Sequence, residues 1–175
     1  MSLPLHTLEH IATLALADGG TVAIAKLIAP LPTDLGAPLA TELASMDPWR
    51  RYGFTPERLQ RFVAEPNPQA PRYLVHDGAR ILGIVVVKPG WMFGSYLNFL
   101  AVLPGAQGRG IGGAVLAWLR AEGLRRGERN QFVATSAFNE AALRFYEAHG
   151  FEIVARLPGL ISDDETEILL RRRLA

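Results

Sequence analysis

The stretch Leu100-Ala101-Val102-Leu103-Pro104-Gly105-Ala106-Gln107-Gly108-Arg109-Gly110-Ile111-Gly112-Gly113 decides the fold. Its first three residues end a run, Ser95 to Val102, that is apolar on both faces, as a strand in the middle of a sheet is. Its last part, Gln107 to Gly113, opens a helical pattern from Gly110 to about Arg126. Missing side chains in a loop between a strand and a helix expose backbone N–H groups at the positive end of the helix, and this suits a phosphate. Four glycines in the six residues 108–113 exceed what a tight turn needs.

Downstream of the loop, Gln131 to Thr135 reads as a strand, Glu140 to His149 as a helix and Glu152 to Arg156 as a strand, completing a βαβαβ succession. Glu165 to Leu174 alternates weakly and is expected as a last strand, at the edge or back in the sheet. Upstream, Arg72 to His76 and Arg80 to Val87 flank Asp77-Gly78, a hairpin signal, with Lys88-Pro89-Gly90 ending the pair. Before them, Pro30-Leu31-Pro32-Thr33-Asp34 leads into a helix to about Met46, and Thr55-Pro56-Glu57 caps a second helix to about Ala64. Between these helices, Asp47 to Phe54 carries Trp49, Tyr52 and Phe54. Thr21 to Ile28 is a strand, and Leu5, Leu8, Ile11, Ala12 and Ala15 recur at helical spacing until Asp18-Gly19-Gly20. The expectation is one α/β domain over residues 21–175, preceded by a helical extension over residues 1–20. Its mixed central sheet is antiparallel in the first half, with a parallel join in the second, and is flanked by helices.

Composition narrows the function. The chain has 175 residues, with 18 basic against 17 acidic, a balance of +1 that draws it to neither nucleic acid nor an anionic membrane. Having no cysteine, it can form no disulfide, thiolate nucleophile, Cys-ligated zinc or iron–sulfur cluster, and a reducing cytoplasm is compatible with this. The longest near-apolar runs, Ile11 to Ala17 and Ile81 to Val87, fall far short of the ~20 residues that span a bilayer. Met1 to His10 has no basic residue ahead of an apolar stretch, so no secretion signal is expected there. The four His and 17 carboxylates show no metal-ligand spacing, and no metal is expected.

Gly108-x-Gly110-x-x-Gly113 also matches the dinucleotide fingerprint. Against that reading, Leu103 to Gln107 separates the loop from the strand end, and the next strand ends in Ala134-Thr135 without a ribose-binding acid. No Lys-Ser or Lys-Thr follows the last glycine, as a P-loop requires.

Gln107-x-x-Gly110-x-Gly112 resembles the acetyl-CoA loop of the GNAT superfamily of N-acetyltransferases, and Leu100-Ala101-Val102-x-Pro104 is similar to that family's central strand and turn. Asn139-x-x-Ala142-x-x-Phe145-Tyr146-x-x-x-Gly150-Phe151 is similar to its second cofactor segment. The resemblance runs from about Arg72 to Arg156. It implies that acetyl-CoA is the acyl donor. Leu100, Ala101 and Val102 would hold the pantetheine arm through backbone bonds, at the parallel join. The amides around Gln107, Gly108, Arg109, Gly110, Ile111, Gly112 and Gly113 would take the pyrophosphate. Asn139 would bond the cofactor arm, Ala142 would allow its approach, and Tyr146 would protonate the departing sulfur.

Read without the family, Asn139, Ala142 and Tyr146 lie three and four residues apart and fall on one helix face. A general base is less evident: no acid lies between Asp77 and Glu122. A water relay on Asn98 is the candidate, ahead of His76 and His149. The amine acceptor is expected near Asp47, Trp49 and Tyr52, near Trp91 and Tyr96, and near the loop Leu157 to Glu165 with Asp163 and Asp164. The carboxylates would attract a cation and the rings would stack on its skeleton. The reading is a cytoplasmic N-acetyltransferase that needs no metal, acts on a primary amine by direct attack, and can be a homodimer. A non-catalytic acyl-CoA-binding module and a nucleotide-binding protein are the competing classes.

Overall fold

A computed structural model describes residues 3–174, which divide into two compact units. The first comprises residues 3–87 and 99–115. It contains the strands β1 (Leu8–Ala15), β2 (Thr21–Leu27) and β3 (Arg72–His76), most of β4 (Ile81–Trp91) and the end of β5 (Gly94–Val102). It also contains the helices α1 (Thr33–Ala44) and α2 (Pro56–Val63) and the start of α3 (Ile111–Arg125). β1, β2, β3 and β4 pair in that order, each antiparallel to the next. Gly36, Leu39, Ala40 and Leu43 recur at three- and four-residue spacing and form the buried stripe of α1. The Thr55 hydroxyl accepts the Arg58 N–H at 3.3 Å and starts α2 with Pro56 in its first turn, as the sequence predicts. Leu27, Leu43, Leu59, Leu74, Ile84 and Phe99 centre the core of this unit.

The second unit comprises residues 88–98 and 116–174. It holds the tip of the β4–β5 hairpin, β6 (Asn130–Ser136), α4 (Glu140–Ala148), β7 (Glu152–Pro158), β8 (Thr166–Arg173) and most of α3. β5 and β6 run parallel over Gly94–Leu97 and Asn130–Val133, β6 pairs antiparallel with β8, and β8 with β7. The parallel join depends on a missing side chain, because a Cβ on Gly94 would lie 1.8 Å from the Asn130 carbonyl oxygen. Arg172, 7% exposed on β8, donates to the His149 carbonyl at 3.2 Å, the Leu116 carbonyl at 2.9 Å and the Gln131 side chain at 2.5 Å. It thereby ties α3, the end of α4 and β6 to β8. Burial, then the nearby Arg120 charge, pushes its pKa down to about 10.

Neighbouring strands are hydrogen-bonded in the order β1-β2-β3-β4-β5-β6-β8-β7, which is the expected mixed sheet with, among the described residues, one parallel pair and four α-helices. Two expectations are corrected. The N-terminal helix is the strand β1, because a bulge between His10 and Ala12 changes its phase: Leu8 faces Leu27, whereas Leu14 faces Val22 on the other side of the sheet. The resulting apolar spacing imitates a helix. β4 continues through Lys88-Pro89-Gly90 to Trp91, where the three exposed residues occupy the end of a hairpin arm. The last strand, β8, takes the second of its two expected places, back in the sheet between β6 and β7, so β7 forms the edge. Met1 and Ser2 of the expected extension and Ala175 of the expected domain lie outside the described residues. Among the described residues no helix is long and apolar enough to cross a membrane.

Candidate active site

In the first unit, β5 leaves the sheet at Val102, and Pro104–Ala106 form one 3-10 turn before the glycine loop. The Gln107 side-chain amide donates to the Val102 carbonyl at 2.9 Å, so this side chain braces the loop. Gly108 and Gly110 have φ of 76° and 79°, in the left-handed region where a Cβ costs about 1–2 kcal/mol. α3 starts at Ile111, and Ala114 N–H makes a bond one turn back, to the Gly110 carbonyl at 3.0 Å. The amides of Ile111, Gly112 and Gly113 belong to the first turn, which has no earlier helical carbonyl to bond and carries the positive end of the helix dipole. Arg109 reaches Asp18 at 3.8 Å, with both side chains partly exposed. On β5, Ala101 is buried while Leu100 and Val102 are half-buried.

The aromatic loop belongs to this unit too. Trp49 stacks on Phe99 at 4.2 Å between ring centres and packs against the core. Asp47 is paired with Arg50 at 2.9 Å, and Tyr52 lies against Phe54 at 6.2 Å. One face of Trp49 and the charge of Asp47 are therefore already engaged within the protein.

In the second unit, Asn139 stands one residue before α4 and caps it: its Oδ1 accepts the Ala142 N–H at 3.2 Å. The cap does not use the side-chain NH2, which is the donor suited to a ligand carbonyl. Tyr146 is 7% exposed, with Phe151 edge-on at 5.6 Å and Phe145 at 5.2 Å. Burial, then the neighbouring Tyr96, raises the pKa of its phenol. Tyr96 is raised as well, by burial and then by the charge of Glu167. Trp91 packs on Tyr96 at 5.2 Å and edge-on to Phe132 at 4.8 Å. Trp91, Tyr96 and Phe132 thus form one aromatic group. Asn98, exposed, shares a strand face with Tyr96.

The two histidines have local roles. His76 Nδ1 accepts the Gly78 N–H at 3.1 Å in the β3–β4 turn, and His149 Nδ1 lies 2.7 Å from the Phe145 carbonyl at the end of α4. Asp163 and Asp164 are exposed. The sequence reading did not single out Glu167, which is only 4% exposed on β8. One available signal was a carboxylate directly before the apolar run Ile168-Leu169-Leu170.

No curated protein matches the chain. Among solved structures, an acetyltransferase from Thermus thermophilus is similar with a TM-score of 0.64 at 23% identity, over 94% of this chain and 99% of that one. The ribosomal-protein-S18-alanine N-acetyltransferase from Escherichia coli is similar with a TM-score of 0.64 at 21% identity, over 88% and 94%. A GNAT family acetyltransferase from Elizabethkingia anophelis, with acetyl-CoA bound, has a TM-score of 0.62 at 21% identity, over 87% and 97%. These likenesses establish the fold. The model of the Acetyltransferase (GNAT) family matches residues 39–151, which include the glycine loop, Asn139 and Tyr146, and the chain accordingly belongs to that family of acyltransferases.

Proposed function

We propose that the protein moves the acetyl group of acetyl-CoA to a primary amine by direct attack of the amine on the thioester. The observation that carries this reading is the glycine loop, where left-handed Gly108 and Gly110 lead into the first turn of α3. That is a backbone site for a pyrophosphate with no side chain in the way. A relative with acetyl-CoA bound, and another that acetylates an alanine amine, support the donor and the acceptor class.

The residues divide the work. The amides from Gln107 to Gly113 bind the pyrophosphate, with Arg109 adding charge. The β5 backbone from Leu100 to Val102 accommodates an extended arm: the β5–β6 register ends at Leu97 and Val133, although β5 continues to Val102. The Asn139 NH2 holds that arm, and the half-buried Ala142 leaves room for it. The Tyr146 phenol stays protonated at neutral pH and donates to the sulfur as the C–S bond breaks. Its raised pKa makes it a weak acid. Its contribution therefore begins as a hydrogen bond to developing negative charge, and proton transfer is completed as the thiolate leaves.

Calorimetric titration with acetyl-CoA is the test. The wild-type protein should bind, and Gly110→Val, if folded, should bind at least tenfold more weakly, because the left-handed turn and the aim of the following amides are lost. Unchanged affinity would remove the loop from the site.

A further inference from the structure

Tyr146 lies in the last turn of α4, where helical carbonyls run out of later N–H groups to bond. A closing motif holds that turn. The Gly150 N–H returns to the Glu147 carbonyl at 3.0 Å and the Phe151 N–H to the Tyr146 carbonyl at 3.1 Å, with Gly150 left-handed at a φ of 81°. The Phe151 ring folds back edge-on to the Tyr146 ring at 5.6 Å, the side-chain contact that accompanies this kind of helix end. Arg172 of β8 lies behind it. Its Nη1 donates to the His149 carbonyl at 3.2 Å, its guanidinium covers the Phe151 ring at 4.7 Å from the ring centre, and its Cδ would lie 3.7 Å from a Cβ on Gly150. Its Nη2 donates to the Leu116 carbonyl of α3 at 2.9 Å and to the Gln131 side chain of β6 at 2.5 Å. Gln131 donates in turn to the Leu119 carbonyl of α3 at 2.6 Å. One side chain therefore joins the turn that carries Tyr146 to α3 and β6.

We propose that Arg172 is a positioning residue for acetyl transfer, which through Phe151 and the His149 carbonyl fixes the direction of the Tyr146 hydroxyl. Two further features support this. The three acceptors of Arg172 are uncharged and its Nε has no partner among the described residues, so the buried cation carries a cost that filling the space would not require. The planar guanidinium can cover a ring face while bonding carbonyls in its own plane, a combination that neither Lys nor an apolar residue offers. Misplacing a reacting group by about 1 Å can cost about 10²-fold in rate, so a brace at this turn acts on the chemical step. The proposal rests on the reading of Tyr146 as the acid and adds the residue that holds it in place.

The test crosses Arg172→Lys with Tyr146→Phe. Lys keeps the charge and can bond carbonyls, but it has no planar face for the Phe151 ring. Wild type, the two single variants and the double variant are compared by kcat at saturating acetyl-CoA, with spermidine, tyramine and an alanine-ended peptide as acceptors. Calorimetry gives acetyl-CoA affinity. NMR of protein isotopically labelled at the tyrosine Cζ reports on the phenols, and absence from the Tyr146→Phe spectrum identifies the Tyr146 resonance. We expect Arg172→Lys to lower kcat about tenfold or more while acetyl-CoA affinity and the amine's KM stay within about threefold. The Tyr146 resonance should shift or broaden, and those of Tyr52 and Tyr73 should stay in place. In the Tyr146→Phe background the same change should lower kcat no further, because the hydroxyl it positions is gone. Should Arg172→Lys fail to fold, Phe151→Leu, which removes the ring between Arg172 and Tyr146, is expected to give the same pattern.

Wild-type kcat in Arg172→Lys, an unmoved Tyr146 resonance, or losses that multiply in the double variant overturn the positioning role and leave Tyr146 standing as the acid. A loss of acetyl-CoA affinity as large as the loss of kcat also overturns it, since Arg172 would then support the whole unit and not this one hydroxyl. Wild-type kcat in Tyr146→Phe removes the acid, and the role of Arg172 with it. A wild-type protein that binds acetyl-CoA and acetylates none of the three amines overturns the acetyl-transfer reading on which both depend.

Discussion

Tyr146 shows how burial sets chemistry at a single residue. Enclosed by Phe145 and Phe151 and close to Tyr96, its phenol holds its proton to a higher pH than the ordinary value of about 10. The sign for stability follows. The folded value is raised, so the stabilisation is complete below about pH 10 and is lost as pH climbs through the folded value. Tyr146→Phe keeps the ring and removes only the hydroxyl. We predict retained acetyl-CoA affinity, a kcat lower by about 10² to 10⁴, and less alkaline destabilisation than in wild type. Steady-state kinetics at saturating amine and thermal melts across alkaline pH check this, and wild-type kcat in the Phe variant would eliminate Tyr146 as the acid. The sequence pattern already marked Tyr146, Ala142 and Asn139. It did not reveal that Asn139 spends its oxygen on the helix cap, because capping depends on where the helix starts. Glu167 escaped notice because its place opposite Ser136 is set by strand pairing across 31 residues of chain.

Two hairpins carry the predictions at the scale of elements. The β4–β5 turn places Met92 and Phe93 at φ of 49° and 60°, so both central residues are left-handed, with Phe93 85% exposed. Asn-Gly suits such a turn far better than two bulky residues. Met92→Asn with Phe93→Gly should stabilise the protein by about 1 kcal/mol or more. That corresponds to a Tm higher by about 2–4 °C per kcal/mol at this chain length. A lower Tm would mean that the exposed side chains themselves support the turn. In the β3–β4 hairpin, His76 is buried, and desolvation, then the His10 charge, lowers its pKa. Its stabilisation is present above the ordinary value of about 6.5 and is lost as pH falls through the lowered folded value. Protonation also removes the acceptor that holds Gly78 N–H. His76→Asn, which retains a carbonyl acceptor, should therefore lose less Tm than wild type between neutral pH and about pH 5, as calorimetry would show. Element type was legible wherever the hydrophobic period was unbroken, as in α2 and β3. It failed at β1, where the bulge at Ile11 moves the apolar side chains from one face to the other. It was weak at β8, which is buried on both faces between two strands and so lacks a clean alternation.

For the whole molecule, the fold class was readable because the order of elements after Arg72 leaves few topologies, and the two family motifs fall in their expected places around α3 and β6. The acceptor was not readable. Its candidate residues come from segments far apart in the chain, and some of them, such as Trp49 on Phe99, are partly engaged in packing. Acetyl-CoA should raise Tm in proportion to the logarithm of its concentration above Kd, whereas NAD should leave Tm unchanged, since only a ligand of the native state stabilises it. Catalysis itself is tested most directly by incubating the wild-type protein with acetyl-CoA and primary amines while following free CoA thiol and product mass together. The account predicts thiol release that depends on the amine, matched by an amine heavier by one acetyl group. Acetyl-CoA bound by the protein but left intact with every amine would contradict it and identify a binding module instead.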